Sequence, residues 1–434
     1  MVKLLPSLLY YLGLHIATIT AIPLDSSSNG NIIGDGNKVT GKKASNNIIT
    51  LPLIKSDRRN LSKRSNNKAV YELINERNIE YLAKVDIGSP PQEFLVSIDT
   101  GSADLWVPGK ECPSNECPYD KFQPHESKTY KSMNLSFTIQ YGSGSVHGYY
   151  GKDTINLSTS ISDSNKKDRT QKKTNQKKQQ TIPSQPFGVV YSTEGGIISK
   201  ATRSDGILGL GFPALTANSD TPQAYDPFVF NLVKQKLISE PIFSITLKEQ
   251  LLMIGGIDEN QYTGDIHYVP VTKNLNPKTN TQEYTYWSVA LKNMYVDGSK
   301  VRNSAASSVI LDTGTTLSYV SQSLAENLVR SVTGRRPRYN AEAEMYEIDC
   351  HLKNKAVGIE FDNSVKLVID IQELVVPIDA YTCGFGITYG FDSSDSTYVL
   401  GGTILRSAYF VFHMEDRKVG LATAINSPSE VIKA

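Results

Sequence analysis

The sequence is short of several things, and each shortage excludes something. It has four cysteines and six histidines in 434 residues. His125, His147, His267, His351 and His413 fall in no His-Glu-x-x-His or comparable ligand spacing, and no cysteine pair reads Cys-x-x-Cys, so no metal centre or metal cofactor is expected. Gly-x-Ser-x-Gly is absent, which removes the common serine-hydrolase elbow. Neither sign of charge is in excess: 45 Lys+Arg stand against 44 Asp+Glu, a net charge of +1. That argues against nucleic acid as a partner and against an acidic tail. Ser/Thr-rich stalks and internal repeats, which a structural wall protein would carry, are missing. "GNKVTGKK" (Gly36–Lys43) approaches a P-loop, but Lys43 stands where the Mg²⁺-binding hydroxyl belongs. Beyond the N-terminus no run is apolar enough to span a bilayer, and "SPSEVIKA" lacks the hydrophobic tail of a lipid-anchor signal.

What is present begins with "MVKLLPSLLYYLGLHIATITAIPLD". A short basic start, an apolar run and small residues up to Ala21 read as a secretory signal peptide, residues 1–21. The alternative is an uncleaved anchor, although Pro6 and His15 interrupt the run and it is short for a span. Residues 22–64 are rich in Ser, Asn, Gly and Lys and poor in apolar periodicity. They end at Lys63-Arg64, just ahead of the first strand-like run. This reads as a pro-segment cut after Arg64 by a dibasic-specific processing protease; the bland alternative is a solvated charge pair in a loop. In an oxidising compartment the four cysteines read as disulfides. Three pairings are open, of which the local one, Cys112–Cys117 with Cys350–Cys383, keeps each bridge within its own half of the chain. Asn134 and Asn156 each open an Asn-Leu-Ser triplet, the acceptor pattern for an N-linked glycan in a secreted protein.

From about residue 70 the texture is β. Runs such as "YLAKVDIG", "EFLVSID", "LSFTIQYG", "EPIFSITL", "LLMIGGI", "WSVALKNMYV" and "YFVFHM" are rich in Val, Ile, Tyr and Phe and bounded by turn residues. In "VKLVIDI", Val365, Leu367, Ile369 and Ile371 alternate as on a half-buried strand. Two helices are expected. One lies in "DPFVFNLVKQKLI", with Phe228, Leu232 and Leu237 on one face. The other opens with a capping box at Ser323-x-x-Glu326 and stops at Gly334. Between Leu157 and Ile182 a Lys-rich stretch without apolar periodicity is expected to be a surface loop, residues 158–181. It is either a solvated insertion or an internal processing site.

One local pattern occurs twice. "VSIDTGSADLWVP" (Val96–Pro108) and "VILDTGTTLSYV" (Val309–Val320) each set an aspartate after apolar strand residues and before Thr-Gly and a hydroxyl residue. Carboxylates are rarely buried unless partnered, so Asp99 and Asp312 are expected to face each other across a two-fold-like axis. Two carboxyls in contact cannot both ionise cheaply. One keeps a proton while the other acts as base on a water between them, and the water attacks a peptide carbonyl. Gly101 and Gly314 allow the close turn, Thr100 and Thr313 are set to hydrogen-bond across to the opposite loop, and Ser102 and Thr315 to bond the outer carboxylate oxygens.

On these residues the sequence resembles the pepsin-like aspartic endopeptidases, from about residue 70 to 425. "DLWVP" contains the family's tryptophan, Trp106. "YGSGS" (Tyr141–Ser145) matches its flap, with Tyr141 closing over substrate and hydrogen-bonding Trp106, beside Gly142 and Ser143. "DGILGLG" (Asp205–Gly211) and "YVLGGTILRSAYFVFHMEDRKVGLA" (Tyr398–Ala422) match the segments beneath the two aspartate loops. The resemblance implies a mainly β, bilobal fold with a cleft between an N-terminal lobe (65–250) and a C-terminal lobe (251–434). It also implies the two local disulfides, a protein or peptide substrate bound along Trp106, Tyr141, Gly142, Ser143, Gly101, Gly314, Thr315 and Thr316, large apolar residues at the cut, a monomer, and no cofactor. "IGGIDENQYTG" and "ILRSAYFVF" resemble more closely the secreted aspartyl proteases of yeasts, the candidapepsin group. One departure stands out. The family places Asp after Leu-Gly where this chain has Gly402, which puts an acid pH optimum in question. The rival reading is an inactive protease-like peptide-binding protein, which would be expected to have lost a catalytic group.

Overall fold

A computed structural model describes residues 48–56, 80–159, 178–198, 203–276, 278–302, 307–390 and 397–433. The expected signal peptide and the Lys63-Arg64 pair lie outside the described residues. The strand-like runs all form strands, and they assemble into three large sheets. An eight-stranded sheet runs in the order Ile54–Ser56, Glu80–Ile87, Gln92–Asp99, Gly206–Gly209, Leu105–Pro108, Lys178–Glu194, Gly144–Thr159, Lys131–Tyr141. A nine-stranded sheet is built from Ser288–Val296, Ser307–Leu311, Ser318–Val320, Thr397–Leu400 and their neighbours. A six-stranded sheet joins strands from both sides of the expected 250/251 boundary: Ile242–Thr246 pairs with Tyr409–His413. The expected lobe boundary at 250/251 falls at the turn between Ile242–Thr246 and Leu251–Ile254.

The two aspartate-bearing sheets repeat one topology. Gln92–Asp99 lies parallel to Gly206–Gly209, which lies antiparallel to Leu105–Pro108. Ser307–Leu311 lies parallel to Thr397–Leu400, which lies antiparallel to Ser318–Val320. Each aspartate therefore sits at the end of a central strand, where buried ladders fix the backbone that follows. Phe243 and Phe412, opposite each other in the six-stranded sheet, stack at 4.6 Å, and Trp287 meets Phe412 at 5.0 Å and Phe212 at 4.4 Å. Both expected disulfides are formed, Cys112–Cys117 and Cys350–Cys383.

Four expectations need correction. Within the expected pro-segment, Ile49–Pro52 and Ile54–Ser56 are strands, pairing with Leu251–Ile254 and with Glu80–Ile87. Ile49, Leu51 and Leu53 are buried, so a short alternating run was present there, and Pro52 is accommodated because the strand is at an edge. The first helix is only Phe228–Lys234; Lys236 adopts φ +59°, so Leu237 packs from beyond the helix end. The second helix, Gln322–Thr333, is capped by Ser321 rather than Ser323, the Ser321 side chain accepting from the Leu324 amide. Ser323 lies inside the first turn, and Glu326 is held by Gln322 instead of reaching back. Gly334 does end this helix, at φ +67°. The Lys-rich loop is shorter than 158–181, because the hairpin ladder continues to Thr159 opposite Lys178.

Candidate active site

The two Asp-Thr-Gly turns meet. A Cβ built on Gly101 would fall 2.7 Å from Asp312 Cγ, and one on Gly314 would fall 2.5 Å from Asp99 Oδ1. Each glycine thus lies against the opposite carboxyl, and no larger residue fits. The threonines interlock. Thr100 Oγ1 donates to the Leu311 carbonyl at 2.7 Å and accepts from the Thr313 amide at 2.9 Å. Thr313 Oγ1 donates to the Ile98 carbonyl at 2.7 Å and accepts from the Thr100 amide at 3.1 Å. Both threonines are buried.

The carboxyls are held alike. The Gly101 amide donates to Asp99 Oδ1 and the Gly314 amide to Asp312 Oδ1, each at 2.8 Å. Ser102 Oγ donates to Asp99 Oδ2 and Thr315 Oγ1 to Asp312 Oδ2, each at 2.5 Å. These are charge-assisted geometries, and they leave the inner edges free for chemistry. Asp99 is buried and Asp312 half-buried. Burial first, and then the Asp312 carboxyl beside it, raises Asp99 well above its ordinary value.

The segments beneath the turns are matched too. The Leu210 amide donates to the Asp99 carbonyl and the Gly211 amide to that of Ser102. On the other side the Asp312 amide donates to the Leu400 carbonyl and the Gly402 amide to that of Thr315. Thr316 accepts from the Thr403 amide. A Cβ at Gly402 would meet nothing closer than 3.6 Å, the Thr316 carbonyl, so a side chain could begin there without a clash.

Over Asp99 hangs the hairpin of Lys131–Tyr141 and Gly144–Thr159, turning at Gly142 and Ser143, both exposed. Trp106 Nε1 donates to Tyr141 Oη at 2.7 Å, and Tyr141 also shares a hydrogen bond with Ser102. A hydrogen-bonded chain therefore runs from Trp106 through Tyr141 and Ser102 to Asp99. Tyr286 was not anticipated from the sequence. Burial raises its hydroxyl, and the charges of Asp312 and Asp99 add to this, so it lies within electrostatic reach of the dyad. Its signal was weak: an ordinary aromatic in the bend just ahead of the strand-like run that begins at Trp287. Asn134 is exposed. Asn156 is half-buried in mid-sheet and accepts from Thr181 Oγ1.

Comparison with known proteins gives the family. The family profile described as "Eukaryotic aspartyl protease" matches residues 80–424. The chain is 32% identical to chymosin of Callithrix jacchus over 375 residues, 84% of this chain and 86% of that protein. It is 29% identical to gastricsin of Homo sapiens over 366 residues, 82% and 84% of the two chains. It is 30% identical to cathepsin E-B of Xenopus laevis over 368 residues, 82% of each.

Proposed function

We propose that this chain, which belongs to the eukaryotic aspartyl protease family, is secreted as a zymogen and freed by cleavage after Lys63-Arg64. Membership makes it an aspartic-type endopeptidase acting on protein or peptide substrates. The residues assigned to the chemistry are Asp99 and Asp312. The observation that carries the assignment is the reciprocal seating of each carboxyl against the other turn's glycine.

One proton shared by two aspartates is the established behaviour of this protease class rather than a deduction from this chain. Here the more buried Asp99, with its raised pKa, is assigned the proton in the resting state. Asp312 is the base. A water between them is deprotonated by Asp312 as it attacks the scissile carbonyl carbon, while Asp99 donates to the carbonyl oxygen. The tetrahedral diol collapses when the amine nitrogen is protonated and the C–N bond breaks. No covalent intermediate forms. The Ser102 and Thr315 hydroxyls fix the outer oxygens so that the inner pair meets the water. The Tyr141 hairpin closes over an extended substrate lying along Gly142, Ser143, Thr315 and Thr316, shielding the reaction from solvent; Trp106, expected to line the substrate, is fully buried and acts from beneath by holding Tyr141. Large apolar residues are the proposed preference at the cut. The two lobes are assigned to 65–250 and 251–434, one aspartate from each.

The docked strands at residues 49–56 support the zymogen reading, since the segment ahead of the dibasic pair is part of the fold. Among the described residues no helix is long and apolar enough to cross a membrane. Kinship with the yeast secreted proteases rests on "IGGIDENQYTG", "ILRSAYFVF" and the dibasic boundary. Asn134 is the better placed of the two glycan acceptors, and the enzyme is taken to act as a monomer. The test is peptide hydrolysis from about pH 2 to 8, spanning carboxyl and histidine titrations, by the form beginning at Ser65, with and without pepstatin, beside Asp99→Asn. Pepstatin-sensitive cleavage lost in the variant supports the assignment, and the profile shows what Gly402 does to the optimum. A folded chain without cleavage at any pH overturns it in favour of the binding-protein alternative.

A further inference from the structure

A second, smaller hydrophobic cluster lies apart from the main core and carries the Tyr141 hairpin. Trp106, Phe137, Val146 and Tyr150 belong to it, with Tyr141 and Tyr225 packed on its edge. Phe137 and Tyr150, one from each strand of the hairpin, lie 4.5 Å apart, and Tyr150 meets Tyr225 at 5.2 Å. Into this apolar setting the chain sends a carboxylate the chemistry does not use. Asp104 is 1% exposed. Its Oδ1 accepts from Tyr150 Oη at 2.6 Å and from Tyr225 Oη, and its Oδ2 accepts from the Ala217 amide at 3.0 Å. Three donors converge on it. A protonated Asp104 would bring a fourth hydrogen into this cage, and the tyrosine hydroxyls would have to turn away to receive it.

The neighbouring cation comes from the other half of the chain. Lys278 lies between strands Asn274–Asn276 and Thr281–Glu283, and its Nζ donates to the Thr216 and Ala217 carbonyls at 2.6 and 2.9 Å. It acts on Asp104 through space, and Asp220 acts on it in turn. Among the described residues Tyr141 also feels the Asp104 charge. Burial pushes Asp104 up, and the three hydrogen bonds and Lys278 pull it back.

We propose that Asp104 is a positioning residue: as an ionised carboxylate with Lys278 as counter-charge, it holds the cluster under the Tyr141 hairpin in register, and it releases that hold when protonated. The inference rests on the reading that this hairpin closes over substrate. Asp104 touches neither substrate nor the reacting atoms; it acts through Tyr150 and Trp106 on Tyr141.

The experiment needs no hydrolysis. In the full chain carrying Asp99→Asn, which ends self-cleavage, tryptophan emission is followed against pH. Trp106→Phe in the same background isolates the Trp106 signal from that of Trp287. A Trp106 transition in the acid range is expected. Asp104→Asn should abolish it. Lys278→Met should move it up by about 1 pH unit, the low end for loss of a nearby opposite charge because Lys278 is exposed, and Lys278→Arg should return it. In the active chain the same transition should appear in KM while kcat keeps its own pH limb. A flat Trp106 signal, or a transition that survives Asp104→Asn, overturns the proposal. Should Asp104→Asn fail to fold, Lys278→Met decides, and a transition it leaves in place is equally fatal. An inactive chain whose Trp106 transition still obeys Asp104 and Lys278 sinks the endopeptidase reading alone. An active chain without that transition sinks this inference alone.

Discussion

The interlocked threonines allow the cost of one hydroxyl to be worked out. Thr100 is fully buried, and its Oγ1 makes two bonds, to the Leu311 carbonyl at 2.7 Å and from the Thr313 amide at 2.9 Å. Thr100→Val keeps the β-branched shape and removes both bonds. Leu311 and Thr313 are then left with buried, unpaired backbone groups, each costing about 1 to 3 kcal/mol. The added methyl returns about 0.8 kcal/mol of burial. The expected net loss is about 1 to 5 kcal/mol, a large share of the roughly 5 to 15 kcal/mol that holds a protein folded. Thr100→Ser keeps both bonds and loses only a methyl, so it should cost about 1 kcal/mol. Urea unfolding of the pro-form in an Asp99→Asn background, free of self-cleavage, measures both through their midpoints. In the active background Thr100→Val should lower kcat at least about tenfold, since the carboxyls lose their mutual alignment. A valine variant within about 0.5 kcal/mol of the parent, or a serine variant as costly as valine, would refute the reasoning.

Three further outcomes are expected. Gly101→Ala and Gly314→Ala should each fold yet lose at least about a hundredfold in kcat/KM, because the new Cβ displaces the opposite carboxyl; retention of full activity would mean that the turns do not meet. Burial raises Asp205 to about 6, above its unfolded value, so its stabilising contribution is present below about pH 4 and is lost as pH rises through 6. Asp205→Asn should remove about 2 to 3 kcal/mol of that decline between pH 4 and 7, read from urea midpoints at the two pH values, and an unchanged slope would discount Asp205. Ser321→Ala should destabilise by about 1 kcal/mol through loss of the cap on Gln322–Thr333, whereas Ser323→Ala should change the urea midpoint little.

What the sequence disclosed and what it hid separate along a physical line. The dyad was legible because its chemistry demands the same local arrangement twice: an apolar strand end, a carboxyl, a hydroxyl to cross over, a glycine to admit the neighbour and a hydroxyl to hold the outer oxygen. Every partner of the Asp99 side chain lies within three residues of it or, as Asp312 does, in the copy of its own motif. The strands were legible for a similar reason, since period-two burial is local. The misreadings came where a long-range surface decided the outcome. The run at Ile49–Leu53 is too short to stand out until Leu251–Ile254 is there to pair with it. The Lys-rich loop narrows because a ladder begun at the Tyr141 hairpin carries the strands past the last apolar residue. Asp104 is the extreme case. It follows Asp99 by five residues within the same motif, yet its partners lie 46, 113 and 121 positions away. Nothing local separates it from an exposed acid. A motif therefore reports the groups that react with one another, while the groups that aim them are written across the fold, and only their buried charge without a local partner betrays them.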